Sequence, residues 1–134
     1  MTLVDTNILV DILTNNRVWR DWSVRQLEAR SELGALIINE VIYAETSIGF
    51  ETEADLTKHL APFGLIRERT PSAALFLAGK AYSRYRLGGG SRTNVLPDFF
   101  IGAHAEFEGI ALLTRDTRRY RSYFPRVHLI APDA

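Results

Sequence analysis

The chain has 134 residues, about the size of one ordinary domain: long enough to bury a real core and too short for two. It carries 16 basic and 16 acidic residues and no cysteine, which excludes a disulfide framework, a thiolate zinc site and a generally basic nucleic-acid binder, and suits a cytoplasmic setting. No apolar run approaches a bilayer span, and the start MTLVDTN lacks the basic head and apolar centre of a signal peptide, so a soluble, unprocessed protein without membrane contact is expected.

In chain order, TLVD reads as a short buried strand, followed by an apolar-periodic helix NILVDILT with Asn7 placed as its N-cap. RVWRDWSVRQLEARSELG repeats apolar residues at Val18, Trp22, Leu27 and Leu33, an amphipathic helix closed by Gly34. ALIIN has no polar alternation, as expected of a strand covered on both faces, and Asn39 then caps the helix EVIYAETSIG. TEADLTKHLAPF opens with Thr52 and Asp55 in a capping pattern. After a short strand LIRE, Thr70-Pro71 starts the longest helix, with Ala74, Leu77, Ala78, Ala81 and Tyr85 inward, stopped by the glycines at 88–90. LGGGSRTN (87–94) is the one flexible candidate. PDFFIGAHAEFEG is a helix ending at Gly109, IALLT a strand, DTRRYRSYF a short helical or turn segment, and VHLIA a last strand. Strands and helices alternate throughout, which argues for one α/β domain with a parallel sheet between two helical layers.

In an open parallel sheet, ligands bind beyond the C-terminal strand ends, near the point where strand order reverses. Asp5 ends the first strand and Asp116 lies two residues past IALLT; Asp98 begins its helix and Glu45 sits one turn after Val41-Ile42. Doubly wound packing can bring all four to one patch. Converging carboxylates repel unless they share protons or bind a cation, and oxygen ligands without cysteine or a histidine pair suit a hard ion, Mg²⁺ or Mn²⁺. Such an ion can activate water and stabilise charge on a phosphoryl group, so phosphodiester hydrolysis is the reaction implied. Glu40 and Asp11 are rival acids, Asp11 either supporting Asn7 or facing solvent.

Together LVDTNILVDIL, IINEVIYAET, LPDFFIGAHAEFEGIALLTRD and FPRVHLIAP resemble the PIN-domain nucleases, and the length is similar to the VapC-type ribonuclease toxins of toxin–antitoxin pairs. The resemblance covers nearly the whole chain. It implies a single PIN-like three-layer α/β/α sandwich over residues 1–134, a mainly parallel sheet, and a Mg²⁺- or Mn²⁺-dependent endoribonuclease with Asp5, Glu45, Asp98 and Asp116 as catalytic, metal-holding acids. Glu45 is chosen over Glu40 because IYAE aligns with the family's second acidic helix, although Thr46 stands where the family usually has Leu. Thr6 and Asn7 would hold the first turn and orient Asp5, and Thr114 would hydrogen-bond within the site. A small VapB-like antitoxin and a homodimer are the implied partners besides RNA; the antitoxin's tail would lie in a groove that Trp19 and Trp22 either line or leave by packing in the core.

The charge asymmetry fits that reading. Residues 1–66 hold 5 basic against 10 acidic side chains, residues 67–134 hold 11 against 6. Arg115, Arg118, Arg119, Arg121 and Arg126 follow or flank Asp116 and Arg92 precedes Asp98, so RNA phosphates could be held there, with Tyr120 and Tyr123 stacking bases. His104 is read as a surface or packing residue. A haloacid-dehalogenase-like phosphatase also starts with a strand ending in Asp, but Asn7 stands where its second Asp is required; a PIN fold that binds RNA or protein without cutting is the non-catalytic alternative.

Overall fold

Three short runs with no polar alternation, TLV, LII and ALL, form the middle of the sheet: β1 (Thr2–Val4), β2 (Leu36–Ile38) and β4 (Ala111–Leu113), with every side chain buried. The computed structural model describes residues 1–92 and 95–133. Two-residue edge strands, β3 (Ile66–Arg67) and β5 (Leu129–Ile130), complete a five-stranded sheet of order β3-β2-β1-β4-β5. All four pairings are parallel, with Leu3 opposite Ile37 on one side and Leu112 on the other. The chain therefore starts in the centre, builds outward to β3, then crosses β1 to build the other half. Strand order reverses between β1 and β4, and Asp5 and Thr114 are the first residues past those two strands.

Among the described residues seven helices flank the sheet: α1 (Thr6–Leu13), α2 (Arg20–Leu33), α3 (Glu40–Ser47), α4 (Glu53–Leu60), α5 (Ser72–Leu87), α6 (Leu96–Glu108) and α7 (Arg118–Tyr123). The three-layer α/β/α sandwich expected from the alternation is the fold observed. None of the helices is long and apolar enough to cross a membrane. Contacts run from α1 to α2 and from α5 through α6 to α7, while α3 bridges α1 and α6. Small residues permit the closest of these approaches. Ala74, Ala78 and Ala81 form a fully buried stripe on α5, and at Gly102 of α6 a Cβ would stand 2.3 Å from the Phe124 ring. Phe124 fills the space a side chain at 102 would need.

Local signals mostly act where the sequence placed them. Asn39 caps α3 by accepting from the Ile42 amide, Thr52 caps α4 through the Asp55 amide, and Gly109 ends α6 with φ 65°. Two differ. Asn7 does not cap α1: Asp5 does, accepting from the Thr6 amide at 2.7 Å, because the turn starts directly at the strand end. The amphipathic segment becomes helical only at Arg20, and its outer apolar positions Val18 and Leu33 are exposed while Leu27 is buried. Of the glycine-rich stretch, Gly88–Arg92 folds over Tyr85, whose hydroxyl accepts from the Arg92 amide at 3.1 Å and whose ring leaves no room for a Cβ at Gly90. Thr93 and Asn94 lie outside the described residues.

Candidate active site

Asp5 is carried past the end of β1 into the reversal point, where its amide still donates to Leu113 O of β4 at 2.9 Å. Its carboxylate is only 4% exposed. Oδ1 accepts from the Thr6 amide; Oδ2 accepts from Thr114 Oγ1 at 2.8 Å and Tyr120 OH at 2.8 Å, with Asn7 Nδ2 more distant at 3.4 Å. Burial, reinforced by the nearby Asp98 charge, outweighs these donors and pushes the Asp5 carboxyl up to about 7. The same burial and the surrounding acids raise the Tyr120 hydroxyl far above its ordinary range, so it remains a donor.

Thr114 is the hub of this network. Its one proton serves Asp5, while its oxygen accepts from Asn7 Nδ2 and the Asp116 amide, both at 3.1 Å. Asn7 Oδ1 accepts from the Arg115 amide at 3.1 Å, so Asn7 stitches α1 to the segment after β4. Thr6 Oγ1 donates to Glu45 Oε1 at 2.6 Å, tying α1 to α3.

Glu45 is half-buried, and burial followed by the Asp98 charge raises its carboxyl. Asp98, in the first turn of α6, leaves the helix amides uncapped and instead accepts from Arg119 Nε at 2.9 Å. Its carboxyl is raised by burial, against the pull of Arg119 and with a further push from Asp116. Asp116 is exposed at the rim. Asp5 and Glu45 thus each sense the charge of Asp98, and Asp98 senses Asp116. Among the described residues, no three carboxylate or imidazole groups close into a ready ion cage. Repulsion explains the spacing: each inner acid turns to its own donor, Asp5 to Tyr120 and Thr114, Glu45 to Thr6, Asp98 to Arg119.

The rival acids have other work. Asp11, 1% exposed rather than solvated, is gripped by Arg115 (Nη2 to Oδ1 2.8 Å) and by Ser23 Oγ at 3.0 Å. That pair takes up the Arg115 guanidinium, which also lies 5.3 Å above the Trp19 ring. Glu40 accepts from the backbone and hydroxyl of Thr70, ahead of α5, and these bonds hold its carboxyl low although burial opposes them. Arg92, Arg118 and Arg121 are exposed, Arg121 pairing with Asp133 at 3.2 Å. Arg126 lines a cavity beside Ala111, at the opposite end of β4 from Asp116.

Among aromatics, Trp19 and Trp22 are both half-buried and meet edge to face. Tyr120 is buried on Asp5 instead of being free to stack on a base, whereas half-buried Tyr123 packs against Phe99 and Tyr85. The Tyr120 contact was missed by sequence reasoning. No helical spacing signals it, because α7 starts at Arg118 and leaves Asp116 outside the helix. His104 is fully buried rather than on the surface. The Asn39 amide nitrogen donates to its Nδ1 at 3.0 Å, because Asn39 Oδ1 already accepts from Ile42, so the proton sits on Nε2, which has no partner among the described residues. Burial lowers this imidazole's pKa against the charges of Glu108, Glu68 and Glu40, and the neutral ring braces α3 to α6.

The donor chemistry fits a hard divalent cation: four carboxylates on the strand-end face of the sheet, no sulfur, and three acids, Asp5, Glu45 and Asp98, whose proton affinities burial raises. A sequence model of the PIN domain matches residues 2–125. The chain belongs to the PIN domain family. No curated protein sequence matches it. Solved structures similar to this PIN domain include VapBC2 from Rickettsia felis bound to a promoter DNA fragment (TM-score 0.75, 21% identity, 97% of each chain covered). Others are a toxin–antitoxin complex from Klebsiella pneumoniae (0.71, 20%, 98% of each) and DNA-bound VapBC from Salmonella typhimurium (0.70, 18%, 97% of this chain and 96% of that one). At these identities the likeness establishes the fold that the PIN domain shares with them.

Proposed function

We propose that this PIN domain is a VapC-type toxin: a Mg²⁺- or Mn²⁺-dependent endoribonuclease of the cytoplasm, restrained by a VapB-like antitoxin and acting as a homodimer. The observation that carries the reading is the buried Asp5 at the strand-order reversal, its charge coupled to Asp98 and, through Asp98, to Glu45 and Asp116. A carboxylate costs several kcal/mol to bury without a partner, and a fold that keeps one at this spot is shaped for a cation. Asp5, Glu45, Asp98 and Asp116 would hold the ion. Bound there, it would supply an activated water and a counter-charge for the phosphoryl oxygens.

The remaining residues have separable tasks. Thr6, Asn7 and Thr114 keep Asp5 and Glu45 aimed at the strand ends. Arg118 and Arg92 offer exposed guanidinium groups for the phosphates flanking the cut, and Arg119 is a third once released from Asp98. Arg115 is withdrawn from that set by Asp11. The similarity to a chain of VapBC2 and to one of a toxin–antitoxin complex supports the protein partner.

The Arg119–Asp98 pair supports a second reading, a non-catalytic PIN fold that binds RNA or protein, since it compensates one acid without an ion. One assay separates the two: incubation of total RNA with purified protein in Mg²⁺, Mn²⁺ or EDTA, with mapping of the cut ends, alongside Asp5→Asn and Asp98→Asn. Metal-dependent cuts with 5′-phosphate ends, lost in both variants, are expected. No cuts from any RNA while the protein still retains RNA on a filter would leave the binding reading, and cuts that persist in both variants would put the cutting outside these acids.

A further inference from the structure

The two oxygens of Asp5 are not equivalent. A carboxylate oxygen offers two lone pairs, and Oδ2 meets two close donors, Tyr120 OH and Thr114 Oγ1, each at 2.8 Å, with Asn7 Nδ2 at 3.4 Å on the same oxygen. Among the described residues Oδ1 accepts a single hydrogen bond, from the Thr6 amide at 2.7 Å, which leaves it one lone pair. The two donors arrive from different elements. Thr114 directly follows β4, whereas Tyr120 is on α7, six residues long and bound to the rest of the fold by aromatic contact: Phe124 and Tyr123 pack on Phe99 of α6, and Phe124 occupies the space over Gly102. Tyr120 is itself 2% exposed, so its hydroxyl has no water to exchange for Asp5.

We propose that Tyr120 is a positioning residue that locks Asp5 Oδ2 and thereby leaves Oδ1 as the single oxygen with which Asp5 meets a divalent cation. This rests on the metal-site reading above and adds to it the denticity of Asp5 and the element that enforces it. Tyr120 does not touch the ion. It acts through Asp5, as outer hydrogen-bond partners of metal ligands commonly do, at about 10–100-fold in affinity. The adjacent Arg119 holds Asp98, so α7 sets the rotamers of two acids from consecutive positions.

Mn²⁺ binding followed by electron paramagnetic resonance tests this on the full chain without any substrate. Tyr120→Phe keeps the ring and is expected to weaken Mn²⁺ binding about tenfold and to change the bound-ion spectrum, with far-ultraviolet circular dichroism unchanged. Thr114→Val should act similarly, and the double variant should lose less than the product of the two, because both donors serve one oxygen. Tyr123→Phe, whose ring only packs, should bind as wild type. Wild-type affinity and spectrum in Tyr120→Phe, or simple multiplication in the double variant, overturns the proposal alone. Loss of the circular dichroism signal in Tyr120→Phe makes the residue structural and also overturns it. Absence of Mn²⁺ binding in wild type overturns the metal-site reading and the proposal together.

Discussion

Asp5 bears two loads at once, an N-cap on α1 and a buried charge at the mouth of the site. Its carboxyl titrates at about 7 in the folded chain against 3.8 when unfolded. The folded state therefore holds a proton that the unfolded state releases. The sign follows: this group's contribution to stability is complete below pH 3.8 and is lost as pH rises through 7. Asp5→Asn removes the charge and keeps an acceptor. In EDTA it should stabilise the protein by roughly 2–4 kcal/mol at pH 8 and by almost nothing at pH 4. Urea denaturation of both proteins at the two pH values measures this; equal midpoints at pH 8 would show that Asp5 is not held in a desolvated state. The sequence marks Asp5 because a strand-ending acid in an apolar run is conspicuous. It does not mark Tyr120, since a tyrosine in RRYR looks like a solvated stacking residue and its partner lies 115 positions away.

The elements that carry the acids are held by packing, and the helix most exposed to failure is α7. It is six residues long, with no side-chain cap. Gly102→Ala would place a methyl 2.3 Å from the Phe124 ring, which has to shift. A loss of about 1–3 kcal/mol is expected, with cleavage falling further than stability alone explains, because α7 carries both Tyr120 and Arg119. Thermal melts and initial cleavage rates of the same preparation give the two numbers. The Arg119–Asp98 pair predicts the opposite sign for metal: Arg119→Gln should tighten Mn²⁺ binding about fivefold, as expected for removing a competing pair worth about 1 kcal/mol. Arg118→Gln removes the same charge from an exposed neighbour and should change it less; equal effects would mean that general electrostatics, not the pair, sets the affinity. At this scale most elements were legible, since caps at Asn39 and Thr52 and the stop at Gly109 are local chemistry. What escaped were choices made by tertiary contact. Asp11 on an amphipathic helix reads as solvated until Arg115, 104 residues away, reaches it.

Over the whole molecule the charges cancel, yet the acids are at the strand ends and the basic excess belongs to the second half of the chain. The parallel order was readable from strand–helix alternation, and with it the face on which acids would meet. The reversal between β1 and β4 was not, because strand order depends on which crossovers pack and no local residue encodes it. That reversal decides that Asp5 shares a hydrogen-bond network with Thr114 and the Asp116 amide after β4 as well as, through Thr6, with Glu45 after β2. A neutral molecule with a few exposed arginines in the second half of its chain has a defined expectation for RNA. Arg92, Arg118 and a released Arg119 allow about three phosphate contacts, which for a single strand gives a slope of roughly −2 in log K against log salt. The measurement is a salt titration of single-stranded RNA binding in EDTA, where no cutting is expected. Arg118→Gln should reduce the slope by about 0.7, and Arg115→Gln should leave it unchanged while lowering stability, because its guanidinium is committed to Asp11. A slope near that of a polybasic protein would place the phosphates along a longer basic track. A wild-type slope in Arg118→Gln would move them away from the rim beside Asp116.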